Sequence, residues 1–144
     1  PMHIAERELA AIGDLLGLSY EQLFVRALPN DMGPGNAVTI TLEHEHVSEV
    51  FVGFGERGVR AEVLARNAAL EAKAYLNAIA PVGEHLADQL LLPLALAGCG
   101  SYVTTNVTPH LQSNALVIEK FTDRRIRTVA VASGYQVRCE RGAG

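Results

Sequence analysis

From His3 to Leu16 the apolar residues Ile4, Leu9, Ile12 and Leu16 recur at roughly helical spacing, so the chain is expected to open in a helix that Gly17 stops. The run EQLFVRAL after it reads as a short strand, and NDMGPGN as a loop dense in turn formers. AVTITLEHEH alternates, with Val38, Ile40 and Leu42 on one side and Thr39, Thr41 and Glu43 on the other. VSEVFVGFG supplies its hairpin partner. A long helix is predicted from about Val59 to Ile79, with Ala61, Leu64, Ala68, Ala72, Tyr75 and Ile79 in one stripe. The first half therefore reads α-β-β-β-α.

APVG, residues 80–83, breaks that pattern and marks the expected subdomain boundary. A second helix runs from Glu84 to Ala97, strained or kinked at Pro93, and ends at Gly98. Leu86, Leu90 and Leu94 are expected to be its buried side. SYVTTNV reads as a strand, Pro109 to Phe121 as a helix, and RIRTVAVAS with YQVRCE as a closing strand pair. The second half reads α-β-α-β-β, and the whole falls in the α+β class. No repeat or low-complexity segment interrupts it.

Composition narrows the picture. The 144 residues suffice for one ordinary domain or two small subdomains. Hydrophobic residues make up 49% and charged ones 19%, as in a soluble globular protein. A net charge of −4 argues against a general nucleic-acid coat, but not against an enzyme that meets RNA through a local basic patch. Cys99 and Cys139 stand far apart, with neither the spacing of a zinc ribbon nor that of a disulfide framework, which fits a reducing cytoplasm. The run LLLPLALAG is too short to cross a bilayer, and no signal peptide is evident. The chain opens PMHIAERELAAIG, already in a helical pattern and without an initiator methionine, so it is expected to be a fragment.

Candidate chemistry concentrates in the second half. In NVTPHLQSN, Thr108 is placed as N-cap and Pro109 as N1, which leaves His110 in the first turn. The positive end of the helix dipole favours the neutral imidazole there, the form that has a lone pair for attack on phosphorus. The same helix start is expected to offer backbone N–H groups to a phosphate. The alternative is a surface histidine tolerated at a helix start. In GEHLADQLLLP, His85, Asp88, Gln89 and Leu92 share one helix face and could hold a base and a ribose; the alternative is a solvated face. His44 and His46 would share a strand face but lack a third ligand, so no metal site is assigned. Arg124, Arg125 and Arg127 could contact phosphates or simply line a solvated turn. GPGN has no following Lys-Ser/Thr and reads as a turn rather than a phosphate loop.

DMGPGNAVTITLE, GERGVRAEVLA, VGEHLADQLLLPLALAG and TPHLQSNALVIEKF, in this order, closely resemble the C-terminal portion of the RNA 3′-terminal phosphate cyclases, from about Ile4 to Arg127. The resemblance implies ATP-dependent conversion of RNA 3′-phosphate ends to 2′,3′-cyclic phosphates, through a covalent enzyme–histidyl-AMP and an RNA-3′-pp-5′-A intermediate. The nucleophile falls on His110, in the stretch His110-Leu111-Gln112-Ser113-Asn114. The adenylate pocket carries over to Asp88 and Gln89, with His85 where some relatives carry a tyrosine beside the base. The family fold implies that residues 1–80 are most of an α/β insert subdomain of thioredoxin-like character. Residues 81–144 would be the C-terminal part of a catalytic core of repeated four-stranded sheets with two helices. The resemblance also implies a divalent metal, Mg or Mn, whose protein ligands are expected in the family's N-terminal half. That half is absent here, so the chain alone is expected to be inactive. A non-catalytic cyclase-like protein, binding RNA or assisting ribosome assembly, is the competing expectation; the match at His110, Ser113, Asn114, Asp88 and Gln89 favours the enzyme.

Overall fold

The computed structural model describes residues 2–29 and 35–142, so most of the NDMGPGN loop lies outside the described residues. The order of elements is α1 (Met2–Leu16), β1 (Ala37–Glu43), β2 (Ser48–Phe54), α2 (Ala61–Leu76), α3 (Glu84–Ala97), β3 (Gly100–Thr104), α4 (Pro109–Phe121), β4 (Arg124–Val131) and β5 (Gly134–Arg141). This is an α+β protein. It divides into two compact units, the first formed by residues 1–44 and 50–76, the second by residues 45–49 and 77–144.

In the first unit β1 and β2 pair, and their inward residues Val38, Ile40 and Phe51 join Ile12 of α1 and a run of alanines on α2 in one core. Ala65, Ala68, Ala69 and Ala72 are all buried, which lets α2 approach its neighbours closely. Glu8 is buried in the same unit and accepts two hydrogen bonds from the Asn36 amide, at 2.6 and 2.8 Å. Those bonds meet the requirement that a buried carboxylate be satisfied.

Three expectations fail in this unit. Residues 21–28 form no strand. Ser19 and Gln22 close a capping box around a one-turn 3₁₀ helix, Tyr20–Gln22, and the chain continues without regular structure through Pro29. Phe24 and Leu28 are exposed, so their apolar character reflects no burial. The long helix is shorter than its pattern: it starts at Ala61, after a turn in which the Val59 N–H bonds to the Glu56 carbonyl, and stops at Leu76. Ile79 is therefore off the stripe and 82% exposed. His44 and His46 follow the end of β1 rather than lying on it; the His44 ring meets Tyr75 at 5.9 Å between centroids.

The second unit is an antiparallel sheet of order β3-β5-β4 with α3 and α4 on one face. Tyr102 of β3, Val137 and Cys139 of β5 and Ile126 of β4 face the helices, which supply Ala87, Leu91, Ala95, Leu111 and Ile118. Val82 adds a single parallel bridge to Thr104 on the free edge of β3. The buried side of α3 is centred on Ala87, Leu91 and Ala95, with Leu86, Leu90 and Leu94 only partly buried beside it. The helix thus sits rotated from its expected orientation, its small residues closest to the sheet. Pro93 lies inside α3, where it leaves the Gln89 carbonyl without its usual helical N–H donor. Gly98 ends the helix at φ +104, a conformation that favours glycine, and its N–H bonds to the carbonyls of Leu94 and Ala95. Gly134 is required by crowding: a Cβ there would lie 2.3 Å from the Thr104 carbonyl oxygen.

Arg124, Arg125 and Arg127 lie on β4 and not in a turn. Residues 124 and 125 pair with Arg141 and Glu140, so the arginines alternate between faces of the sheet.

Candidate active site

The sheet's topology brings the two helix starts to one end of the second unit. Val82 runs parallel to β3, and β3 and β4 are each antiparallel to β5, hence parallel to one another. α3 links Val82 to β3, and α4 links β3 to β4. Each must run back along the sheet to connect parallel segments, so both helices point the same way and both begin beyond the C-terminal end of β3. That is the end at which open α/β arrangements gather their ligands.

Hydrogen bonds fasten this end. The Asn106 amide donates to the Glu84 carboxylate at 3.2 Å, tying the loop before α4 to the first turn of α3. Thr104 is fully buried, and its hydroxyl donates toward the carbonyls of Gly83 at 3.5 Å and Asn106 at 3.3 Å. The Val82 N–H bonds to the Val103 carbonyl and the Thr105 N–H to the Val82 carbonyl. Glu49, 2% exposed and grouped with this unit, accepts the Gly83 N–H at 2.5 Å, just before α3 begins. Asn106 also turns its own carboxamide oxygen onto the Val107 N–H at 2.9 Å.

On α4, Thr108 is the N-cap and its hydroxyl accepts the Leu111 N–H at 3.1 Å, with Pro109 at N1. Leu111 is fully buried and anchors the first turn in the core, while its neighbour His110 is exposed. The Gln112 N–H bonds to the Thr108 carbonyl, and proline has no N–H. The N–H of His110 has no protein acceptor among the described residues, so it is a first-turn donor of α4 open to an anion. The Ser113 hydroxyl donates back to the His110 carbonyl at 3.0 Å.

On α3, His85 and Gln89 are exposed and Asp88 is half-buried, on the first two turns. His85 lies 4.0 Å from Glu84. Asp88 sits near enough to Tyr102 for its charge to be felt. Burial, with that negative charge second, pushes the Tyr102 phenol well above its ordinary range. The phenol donates to the Ala87 carbonyl, pinning α3 to β3 one residue before Asp88. His85, Asp88 and Gln89 thus occupy the start of one helix and His110, Ser113 and Asn114 the start of the other, at the same end of one sheet. Among the described residues no three or more His, Cys, Asp or Glu side chains gather to hold a metal ion. The side chains at this end of the unit therefore do not by themselves form a site for the implied divalent metal.

Sequence reasoning passed over Glu49, Thr104 and Asn106. The signal for Glu49 was there: in SEVFVGF it shares the inward phase of Phe51, where a carboxylate must find donors. Thr104 and Asn106 act through partners 21 and 22 residues away, which no local pattern announces.

The fold and the helix-start cluster define an α+β protein whose exposed imidazole stands at a capped helix start beside a polar helix face. A family profile for RNA 3′-terminal phosphate cyclase matches residues 7–128. The chain belongs to that family. It is 47% identical over 140 residues to an RNA 3′-terminal phosphate cyclase of Pseudomonas fluorescens, covering 96% of this chain and 41% of that protein. It is 44% identical over 138 residues to one of Salmonella enteritidis, covering 96% of this chain and 40% of the relative. Against one of Ralstonia nicotianae it is 49% identical over 116 residues, 81% of this chain and 33% of the relative. The chain thus spans about two fifths of the length of the first two of these relatives.

Proposed function

We propose that the protein to which this chain belongs converts RNA 3′-phosphate ends to 2′,3′-cyclic phosphates at the expense of ATP, with His110 as nucleophile. An imidazole nitrogen of His110 attacks the α-phosphorus of ATP; a P–N bond forms and the bond to pyrophosphate breaks. An oxygen of the RNA 3′-phosphate then displaces histidine, giving RNA-3′-pp-5′-A. The neighbouring 2′-OH loses its proton as it attacks the RNA phosphorus, and AMP leaves. The observation that carries this reading is the exposed imidazole at the start of α4, held by the Thr108 cap and the buried Leu111.

Asp88 and Gln89 are proposed to receive the adenosine, the carboxylate as acceptor for ribose hydroxyls and the amide as donor and acceptor to the base. His85 is proposed to flank the base. Residues 1–80 are proposed as most of the family's α/β insert and residues 81–144 as the end of its catalytic core. The divalent metal is proposed to be held by residues beyond this chain, as is much of the charge neutralisation that phosphoryl transfer needs. The chain alone is accordingly inactive in this proposal. We also place the protein in the cytoplasm, in keeping with two free cysteines, Cys99 and Cys139. No helix among the described residues is long and apolar enough to cross a membrane.

The test is conversion of a 3′-phosphorylated RNA by the intact protein, read as resistance of the end to phosphatase. Wild type plus ATP protects the end, and His110→Ala reduces the rate by at least roughly 10³-fold. An intact, folded protein that binds RNA but leaves the 3′-phosphate unchanged favours the non-catalytic, cyclase-like reading instead.

A further inference from the structure

The face of the β3-β5-β4 sheet turned away from α3 and α4 carries a feature that the helix-start site does not use. Arg127 of β4 stands directly opposite Arg138 of β5, and Ser101 of β3 completes the row. Arg125 lies two residues from Arg127 and so on the same face, opposite Glu140. Like charges directly opposite one another on neighbouring strands weaken a sheet. Their compensation is thin. The Arg138 Nε donates to the amide oxygen of Gln136 at 3.0 Å, a neutral partner. Arg127 has its guanidinium 3.8 Å from Glu140, and its side chain is 71% exposed. Only Arg125 has a close carboxylate, Glu119 at 3.1 Å.

Two guanidinium groups, those of Arg127 and Arg138, therefore stand together on one exposed sheet face in a chain whose net charge is −4, while that of Arg125 turns to Glu119 of α4. We infer that this face, centred on Arg127 and Arg138, docks the phosphate backbone of single-stranded RNA upstream of the reacting end. The inference rests on the proposed RNA substrate and assigns it a second contact surface. Charge complementarity selects the occupant: paired, weakly compensated guanidinium groups suit a flexible run of phosphates, and Ser101 adds a neutral donor to the row. The row lies three residues, about 10 Å, from Thr104 at the end of the sheet where the helices start. A short RNA held by its 3′ end does not reach the arginines; a longer one does.

The experiment uses the full-length protein and 3′-phosphorylated single-stranded RNAs of two and about 15 nucleotides, with affinity measured against salt. In the double variant Arg127→Ala/Arg138→Ala, the longer RNA binds roughly tenfold more weakly at low salt. The slope of log affinity against log salt shrinks by about 1.4, the share of two single-strand phosphates. Binding of the dinucleotide and transfer of AMP from ATP to the protein stay at wild-type levels. The melting temperature does not fall, because a repulsive pair has been removed. Arg127→Lys/Arg138→Lys keeps the salt slope. An unchanged slope in the alanine variant overturns the inference and leaves the face to an acidic protein partner. Equal losses for both RNAs, or a lysine variant as weak as the alanine one, overturn it as well. Absence of AMP transfer in wild type would count against the proposed chemistry alone, since the salt slope reads the docking surface independently.

Discussion

At the scale of single residues, the start of α4 depends on one hydroxyl. Thr108→Ala removes the acceptor for the Leu111 N–H and is expected to destabilise the protein by about 1 kcal/mol, seen as a lower denaturation midpoint at unchanged slope. Because the same turn presents His110, AMP transfer should slow as well, and Thr108→Ser should restore both. Tyr102 gives a pH-dependent expectation. Burial and the charge of Asp88 make the folded protein hold the phenolic proton to higher pH than the unfolded chain does. The stability this contributes is complete below the unfolded value, near pH 10, and is lost as pH rises above it. Tyr102→Phe should cost about 1 kcal/mol at neutral pH, through the lost bond to Ala87, and should show a shallower decline in stability above pH 10 than wild type. Denaturant midpoints from pH 7 to 11 check both.

At the scale of elements, the local signals were legible and the packing was not. Pro109 with Thr108, Gly98 and Gly17 mark ends of α4, α3 and α1, and those ends follow from caps that the chain writes within a few residues. The alternation of AVTITLE likewise survives as β1. Leu86, Leu90 and Leu94 do pack against the core, but only at the edge of the inner face of α3, although leucines outweigh alanines in any hydrophobic pattern. Contact with a sheet instead selects the residues that allow the closest approach, here Ala87 and Ala95 around Leu91. Leu91→Ala should therefore cost about 2–5 kcal/mol, whereas Leu90→Ala, from a partly exposed side chain, should cost clearly less. Equal costs would restore the leucine face as the core side. Residues 21–28 have the look of a short strand, yet a strand exists only with a partner, and Ser19 and Gln22 commit the chain to a turn first. Helix starts can be read from their neighbours; a helix's rotation, or a strand's pairing, depends on residues far along the chain.

At the scale of the whole molecule, the cap and the exposed place of His110 follow from its own turn, but the gathering of its surroundings does not. The two helix starts meet at one end of the second unit because Val82, β3 and β4 run parallel, and because Asn106, Thr104 and Glu49 fasten segments separated by 2 to 34 residues. Family membership is shown over residues 7–128, while the chain spans about two fifths of its relatives' length. His110, at this end of the second unit, is proposed to take AMP from ATP. The measurement that tests it is transfer of label from α-labelled ATP to the intact protein in the presence of a divalent metal, beside His110→Ala and this chain alone. An acid-labile adenylate is expected on wild type, none on His110→Ala and none on the isolated chain. Label that persists in His110→Ala, or no label on a folded, intact wild type, would contradict it.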